Sequence, residues 1–235
     1  MTDLHDLLVL QQQDTTIDQL RHRRATLPER ALVSAIEAEL ARLVTDLAAA
    51  AKEHDRLAAQ QTRLEAEVGV SEDKRRVLER RLSSTSVPRE AQTMSTEIGG
   101  LKERQSVLED ELLEIMEALD PVDSRLSSGV GDQAGLEERL TVARAALASS
   151  EGAIDQELAA AGAARTEAAA LIPEPLLRRY ERLRTHMHGI AVATLDGPRC
   201  TGCNLELPTL ELERVRAERP DVIIECEQCG RILVR

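Results

Sequence analysis

The chain has 235 residues, of which 31% are charged, and it carries a net charge of −12. It has no Phe or Trp and one Tyr, Tyr180. An aromatic-poor chain dominated by Leu, Ala, Glu and Arg excludes the thick core of a globular enzyme and points to long helices packed on seams of small and medium side chains. The acidic balance excludes broad nonspecific attraction to DNA or anionic membrane, which takes clustered Lys and Arg. Residues 1–14, MTDLHDLLVLQQQD, lack a basic segment and a long enough apolar run for a signal peptide. No stretch approaches the ~18 apolar residues of a membrane span, so a cytoplasmic location and no membrane partner are expected.

The first helical stripe is Leu10, Ile17, Leu20 and Leu27. Its phase breaks at Leu27–Pro28, where a kink or a helix restart with Pro28 in the first turn is expected. A heptad seam then runs through Ile36, Leu40, Leu43, Leu47, Ala50, His54, Leu57, Gln61, Leu64 and Val68 and on past Ser71 and Arg75 to Leu78 and Leu82. Its alternating steps of four and three are those of a coiled coil. His54 and Gln61 read as a polar layer that fixes register rather than as ligands.

The sequence LSSTSVPREAQTM breaks this seam. Its serines are poor helix formers and Pro88 disfavours helix at Val87, so a hairpin tip is placed at about 83–90. A second seam begins at Ile98 and passes Leu108, Leu119, Val122, Gly129, Leu136, Ala143 and Ile154, then Glu157, Ala161, Ala168 and Leu171. The heptad phase survives both Pro121 and the SSGVGDQAG stretch. One long helix, bent at Pro121 and weak near 129–135, is therefore favoured over a surface loop at 127–135. The fold class expected is mostly α, a long antiparallel coiled-coil hairpin over residues 1–172. Each arm has roughly 80 residues and reaches about 120 Å at about 1.5 Å per residue. A parallel homodimer would leave the Ser/Pro tip without a purpose.

IPEP (172–175) closes the second arm, and residues 173–235 form a second region. LLRRYERLRTHMHG reads as a short amphipathic helix ended by Gly189, IAVATL as a strand, and DGP as a turn into Cys200. All four cysteines follow in two C-x-x-C pairs, Cys200/Cys203 and Cys226/Cys229, with 22 residues between them. This is the pattern of a small β zinc ribbon with one structural Zn²⁺ on four thiolates. A C-x-x-C turn lets two sulfurs reach one ion, and the next residues, Asn204 and Gly230, both tolerate a left-handed backbone. VIIE (222–225) and RILV (231–234) supply strands, and LELERVRAERP between the knuckles suits a short helix. Four thiolates leave no open coordination position for catalysis. Iron in the same site and a redox role are the alternatives to zinc, although a redox C-x-x-C belongs on a βαβ framework that is not evident here.

Arg178, Arg179, Arg182 and Arg184 share one short helix and are the candidate contacts for a nucleic acid or a partner, against the plainer reading of a solvated helix face. His186 and His188 lack companion ligands for a second metal. No Gly-rich phosphate loop, nucleophile elbow or paired-carboxylate pocket is found, and no catalytic residue or small-molecule substrate is assigned.

The stretches VPREAQTMSTEIGGLK, LLRRYERLR, CTGCNLELP and IIECEQCGRILVR resemble those of the bacterial coiled-coil proteins with a C-terminal C4-type zinc ribbon. This family includes a Helicobacter flagellar-biogenesis chaperone and a chlamydial relative. The resemblance implies a bent helical hairpin with a ribbon beside its open end and zinc on Cys200, Cys203, Cys226 and Cys229. For function it implies a non-enzymatic adaptor for proteins such as an alternative sigma factor or secretion components. The alternative is a regulatory protein that binds RNA or DNA through the ribbon.

Overall fold

The computed structural model describes residues 4–219 and 222–234. Three helices come first: α1 (His5–Ala25), α2 (Pro28–Ser84) and α3 (Pro88–Ala170). The short helix α4 (Glu174–His186) leads into β1 (Val192–Asp196) and β2 (Arg199–Cys200). Helix α5 (Thr209–Ala217), β3 (Ile224–Glu225) and β4 (Ile232–Val234) complete the chain. Contacts divide it into one unit of Met1–Ala31 with Arg144–Arg235 and a second of Leu32–Ala143. In the first unit α1 packs with the ribbon.

In the second unit α2 and α3 run antiparallel. Residues rising along α3 meet residues falling along α2, from Gln105 on Glu72, through Asp123 on His54, to Arg139 on Glu39. Every seam position from Ile36 to Leu82 is buried or half-buried. Ala50, Leu57, Leu119 and Val122 form one buried layer. The tip is three residues, 85–87, between Ser84 and Pro88.

Helix α3 continues through Pro121 and through 127–135, so the loop alternative falls away. Proline costs roughly 3 kcal/mol in a helix interior; here Leu119 and Val122 bury side chains beside it. Gly129 is a seam residue whose missing side chain is structural. A Cβ there would lie 2.2 Å from Leu47 Cδ2, so Leu47 fills the space that the glycine leaves.

The first unit departs from the simple heptad. Of the two alternatives at Leu27–Pro28 the structure takes the restart: α1 ends at Ala25, and α2 begins with Pro28 in its first turn. Ile17 and Leu20 of α1 pack on Ile154 and Ala161 of α3, with Leu27 and Leu158 beside them. Here α3 faces α1, and the row between the buried layers turns by one position. Leu158 takes the inward place expected of Glu157, which is exposed. Leu171 was likewise expected on the seam but is 69% exposed, and Ile172 is buried instead. The reason is that α3 stops at Ala170, so helical periodicity no longer sets which way residue 171 points.

The ribbon is a four-stranded sheet of order β2-β1-β4-β3. β1 and β4 are parallel, with Val192 opposite Ile232 and Thr194 opposite Val234. Alternation along a strand sends successive side chains to opposite faces. Val192, Ile232 and Val234 therefore pack on Leu4, Leu7 and Leu10 of α1 with Leu176 and Tyr180 of α4. Ala193 and Leu233 face the other way, onto Val215 of α5, Leu207 and the buried cysteines.

Two polar side chains on the buried face of α1 fix this docking. The Gln11 Oε1 accepts from the backbone N–H of Ala191 at 2.6 Å, and its Nε2 donates to the Gly189 carbonyl at 2.8 Å. One amide thus pairs with the main chain as a neighbouring strand would. Asp14 is 1% exposed and is the charge hub. It accepts from Arg165 Nε at 2.6 Å and from the Tyr180 hydroxyl at 2.7 Å, with Arg184 Nε 3.4 Å away. Burial, then the bond to Asp14, raises the Tyr180 phenol above its ordinary range. The Gln11→Ala variant leaves a buried N–H and a carbonyl unpaired. It is expected to destabilise the first unit by about 1–3 kcal/mol, read by denaturant unfolding, with zinc content at neutral pH unchanged.

Candidate metal centre

Two turns of the same construction carry the thiols. In the first, the Asn204 N–H donates to the Cys200 carbonyl at 2.8 Å, and the Cys200 N–H donates to Leu205 O at 3.0 Å. In the second, the Gly230 N–H donates to Cys226 O at 2.7 Å, and the Cys226 N–H donates to Arg231 O at 2.9 Å. Asn204 and Gly230 sit at φ 61° and 74°. That is the left-handed backbone the sequence allowed for at both positions, and glycine adopts it without steric cost.

The four sulfurs lie within 4.8 Å of one another, and Cys200 and Cys229 approach to 4.0 Å. Zn–S bonds of about 2.3 Å in a tetrahedron put sulfurs roughly 3.8 Å apart, so the cage fits one zinc ion. No disulfide links them. Cys200 and Cys226 are fully buried and Cys203 and Cys229 half-buried. Cys200, Cys203, Cys226 and Cys229 are thus brought together as the metal site, a C4 centre for one structural zinc.

The electrostatics of the metal-free cage are asymmetric. Burial pushes the Cys226 thiol up to about 12 and raises Cys200, although the N–H groups of Gln228 and Cys229, and of Cys203 and Gly202, oppose it. At Cys229 burial is outweighed by hydrogen bonds from Arg231 together with those from Cys226 and Cys203, and the thiol falls below its ordinary value. Glu211 of α5 supports the second knuckle. It is buried, and its Oε1 accepts from the Glu227 N–H at 3.2 Å.

The arginines of α4 do not form one patch. Arg179 pairs with Glu225 of β3 at 2.8 Å, and Arg184 with Asp18 of α1 at 2.7 Å. Arg178 pairs along its own helix with Glu174, and Arg182 is exposed. His186 is exposed, its Nδ1 2.7 Å from the Arg182 carbonyl. The groups that hold the ribbon, Gln11, Asp14, Arg165 and Glu211, were not singled out from the sequence. Asp14 left a signal: it is the polar residue at the place in the α1 stripe between Leu10 and Ile17.

A long antiparallel helical pair joined to a four-cysteine ribbon defines the class: a coiled-coil hairpin protein with a structural zinc. The chain belongs to the family of the CT398-like coiled coil hairpin domain, matched over residues 10–188, followed by a C4-type zinc ribbon domain over 199–233. Uncharacterised proteins from two strains of Mycobacterium tuberculosis are 30% identical to it, over 97% of this chain and 94% of theirs. A solved structure from Mycobacterium smegmatis has a TM-score of 0.88 at 26% identity, covering 99% of this chain and 97% of that one. CT398 from Chlamydia trachomatis gives 0.79 at 20%, and HP0958 from Helicobacter pylori 0.54 at 18%, each with the same coverage; these two show the shared fold.

Two outcomes follow. Cys226→Ser is expected to lose the zinc, measured by metal analysis, and the ribbon's fold beyond about residue 190, while most helical circular dichroism persists; a full zinc complement would refute the site. A free cysteine thiol titrates at about 8.5 and is mostly protonated at neutral pH, so zinc must displace protons to bind four thiolates. Apparent zinc affinity is therefore expected to fall as pH falls from 8 to 6, by about tenfold per pH unit for each proton displaced, as read by chelator competition.

Proposed function

We propose that the protein is a non-enzymatic zinc-binding adaptor that binds protein partners through its coiled coil and its ribbon. The observation that carries this reading is the display of large aliphatic side chains to solvent on both units. Leu113, Val130 and Val142 are exposed on the helical pair, and Leu210 at the start of α5 is 82% exposed. A zinc held by four thiolates is coordinatively saturated and leaves no position for catalysis, which leaves function to the surface. A cytoplasmic site of action accords with the absence, among the described residues, of a helix long and apolar enough to cross a membrane. The nucleic-acid reading draws on the exposed faces of Arg178 and Arg182, but pairing of Arg179 and Arg184 with carboxylates weakens it.

Affinity purification from the native organism, with and without nuclease, tests the proposal. A defined protein retained after nuclease, and lost with Leu210→Glu or Leu113→Glu, is the expected result. Retention that nuclease abolishes, together with salt-sensitive RNA or DNA binding lost on replacing Arg178 and Arg182, would support the nucleic-acid reading instead.

A further inference from the structure

Between α2 and α3, toward the hairpin tip, lies an open groove of about 400 Å³. Its floor is aliphatic: Ala66 and Val70 from α2, Leu101 and Leu108 from α3. Val70 is 55% exposed, so this apolar surface stands open to solvent. The rim is cationic, formed by Arg63, Lys74 and Arg104 around one carboxylate, Glu67. Glu67 is shared by two of them, at 3.8 Å from Arg63 and 3.5 Å from Arg104. One carboxylate against three cations leaves the rim positive, and Lys74 has no carboxylate partner among the described residues. Two further polar groups at this level lack hydrogen-bond partners: the buried Ser71 hydroxyl, which lines the groove, and Arg75 Nε.

The two segments that line the groove, 63–74 and 101–108, carry four Lys and Arg and five Asp and Glu, so the positive character of the groove comes from which side chains border it, Arg63, Lys74 and Arg104 around Glu67. The groove extends along α2 from Arg63 to Lys74, about 16 Å at about 1.5 Å per residue, or three helical turns. A valley between two paired helices accepts a third helix, whose anchors recur at i, i+3 or i+4, and i+7.

We propose that this groove docks an acidic amphipathic helix of a partner protein, with aliphatic anchors on the Val70–Leu101–Leu108 floor and carboxylates on Arg63, Lys74 and Arg104. The inference rests on the adaptor reading and gives it a surface and a chemical class of partner.

The test is selection of displayed random 15-residue peptides on the zinc-loaded full-length protein. The expected consensus is acidic, with Leu, Ile or Val at helical spacing. The double variant Arg63→Glu/Lys74→Glu and the single variant Val70→Asp should each weaken the selected peptides at least about tenfold, with circular dichroism and zinc content as in the wild type. Lys74→Arg should retain binding. A basic or uncharged consensus would overturn the proposal, as would binding indifferent to the groove variants. So would a 20-nucleotide oligouridine that the wild type binds and the double variant does not. Acidic peptides lost with Leu210→Glu but not with the groove variants would remove the groove and leave the adaptor reading standing.

Discussion

Four cysteine sulfurs gathered within 4.8 Å cannot all be anions without a cation between them. Everything at the C-terminal end of the chain depends on that requirement. The ribbon's own core has six buried residues, two of them cysteines, and its strands are two to five residues long. Such a module is too small to fold on hydrophobic burial alone, and metal binding supplies the difference. The two knuckles spend their backbone hydrogen bonds on presenting sulfur, so the polypeptide contributes geometry and zinc contributes the binding energy.

The ribbon in turn organises the start of the chain. β1 and β4 present one face to the zinc side and the other to α1, so the same strands serve both cores. Gln11 completes the hydrogen bonding of the chain entering β1, and Asp14 gathers Arg165 and Tyr180 from α3 and α4. A buried carboxylate is tolerated only when its lone pairs are filled and its charge offset, and here both conditions are met. Loss of metal therefore removes strands on which α1 leans.

Saturating the metal also moves function away from the sulfurs. The site holds four ligands and offers no position to a substrate, and the surface is left to act. That surface has two characters, an acidic majority and a basic, apolar groove near the tip.

Local patterns in the sequence sufficed to place the long helices and the four-cysteine site. Heptad spacing located both seams, including the passage through Pro121 and Gly129, because a period of 3.5 residues is a local property of the chain. The C-x-x-C pairs with Asn204 and Gly230 identified the knuckles, because ligand spacing and left-handed turns are also local. Which polar groups hold the ribbon on α1 depends on the fold. Gln11 and Asp14 gain their roles from Ala191 and Tyr180, more than 160 positions away. Nor could one period foretell that Leu158 and Ile172 would replace Glu157 and Leu171, since that follows from the change of partner helix and the end of α3. The arginines of α4 make the same point: sequence placed them on one helix, but Glu225 and Asp18, brought in by the fold, hold Arg179 and Arg184 in ion pairs while Arg182 faces solvent.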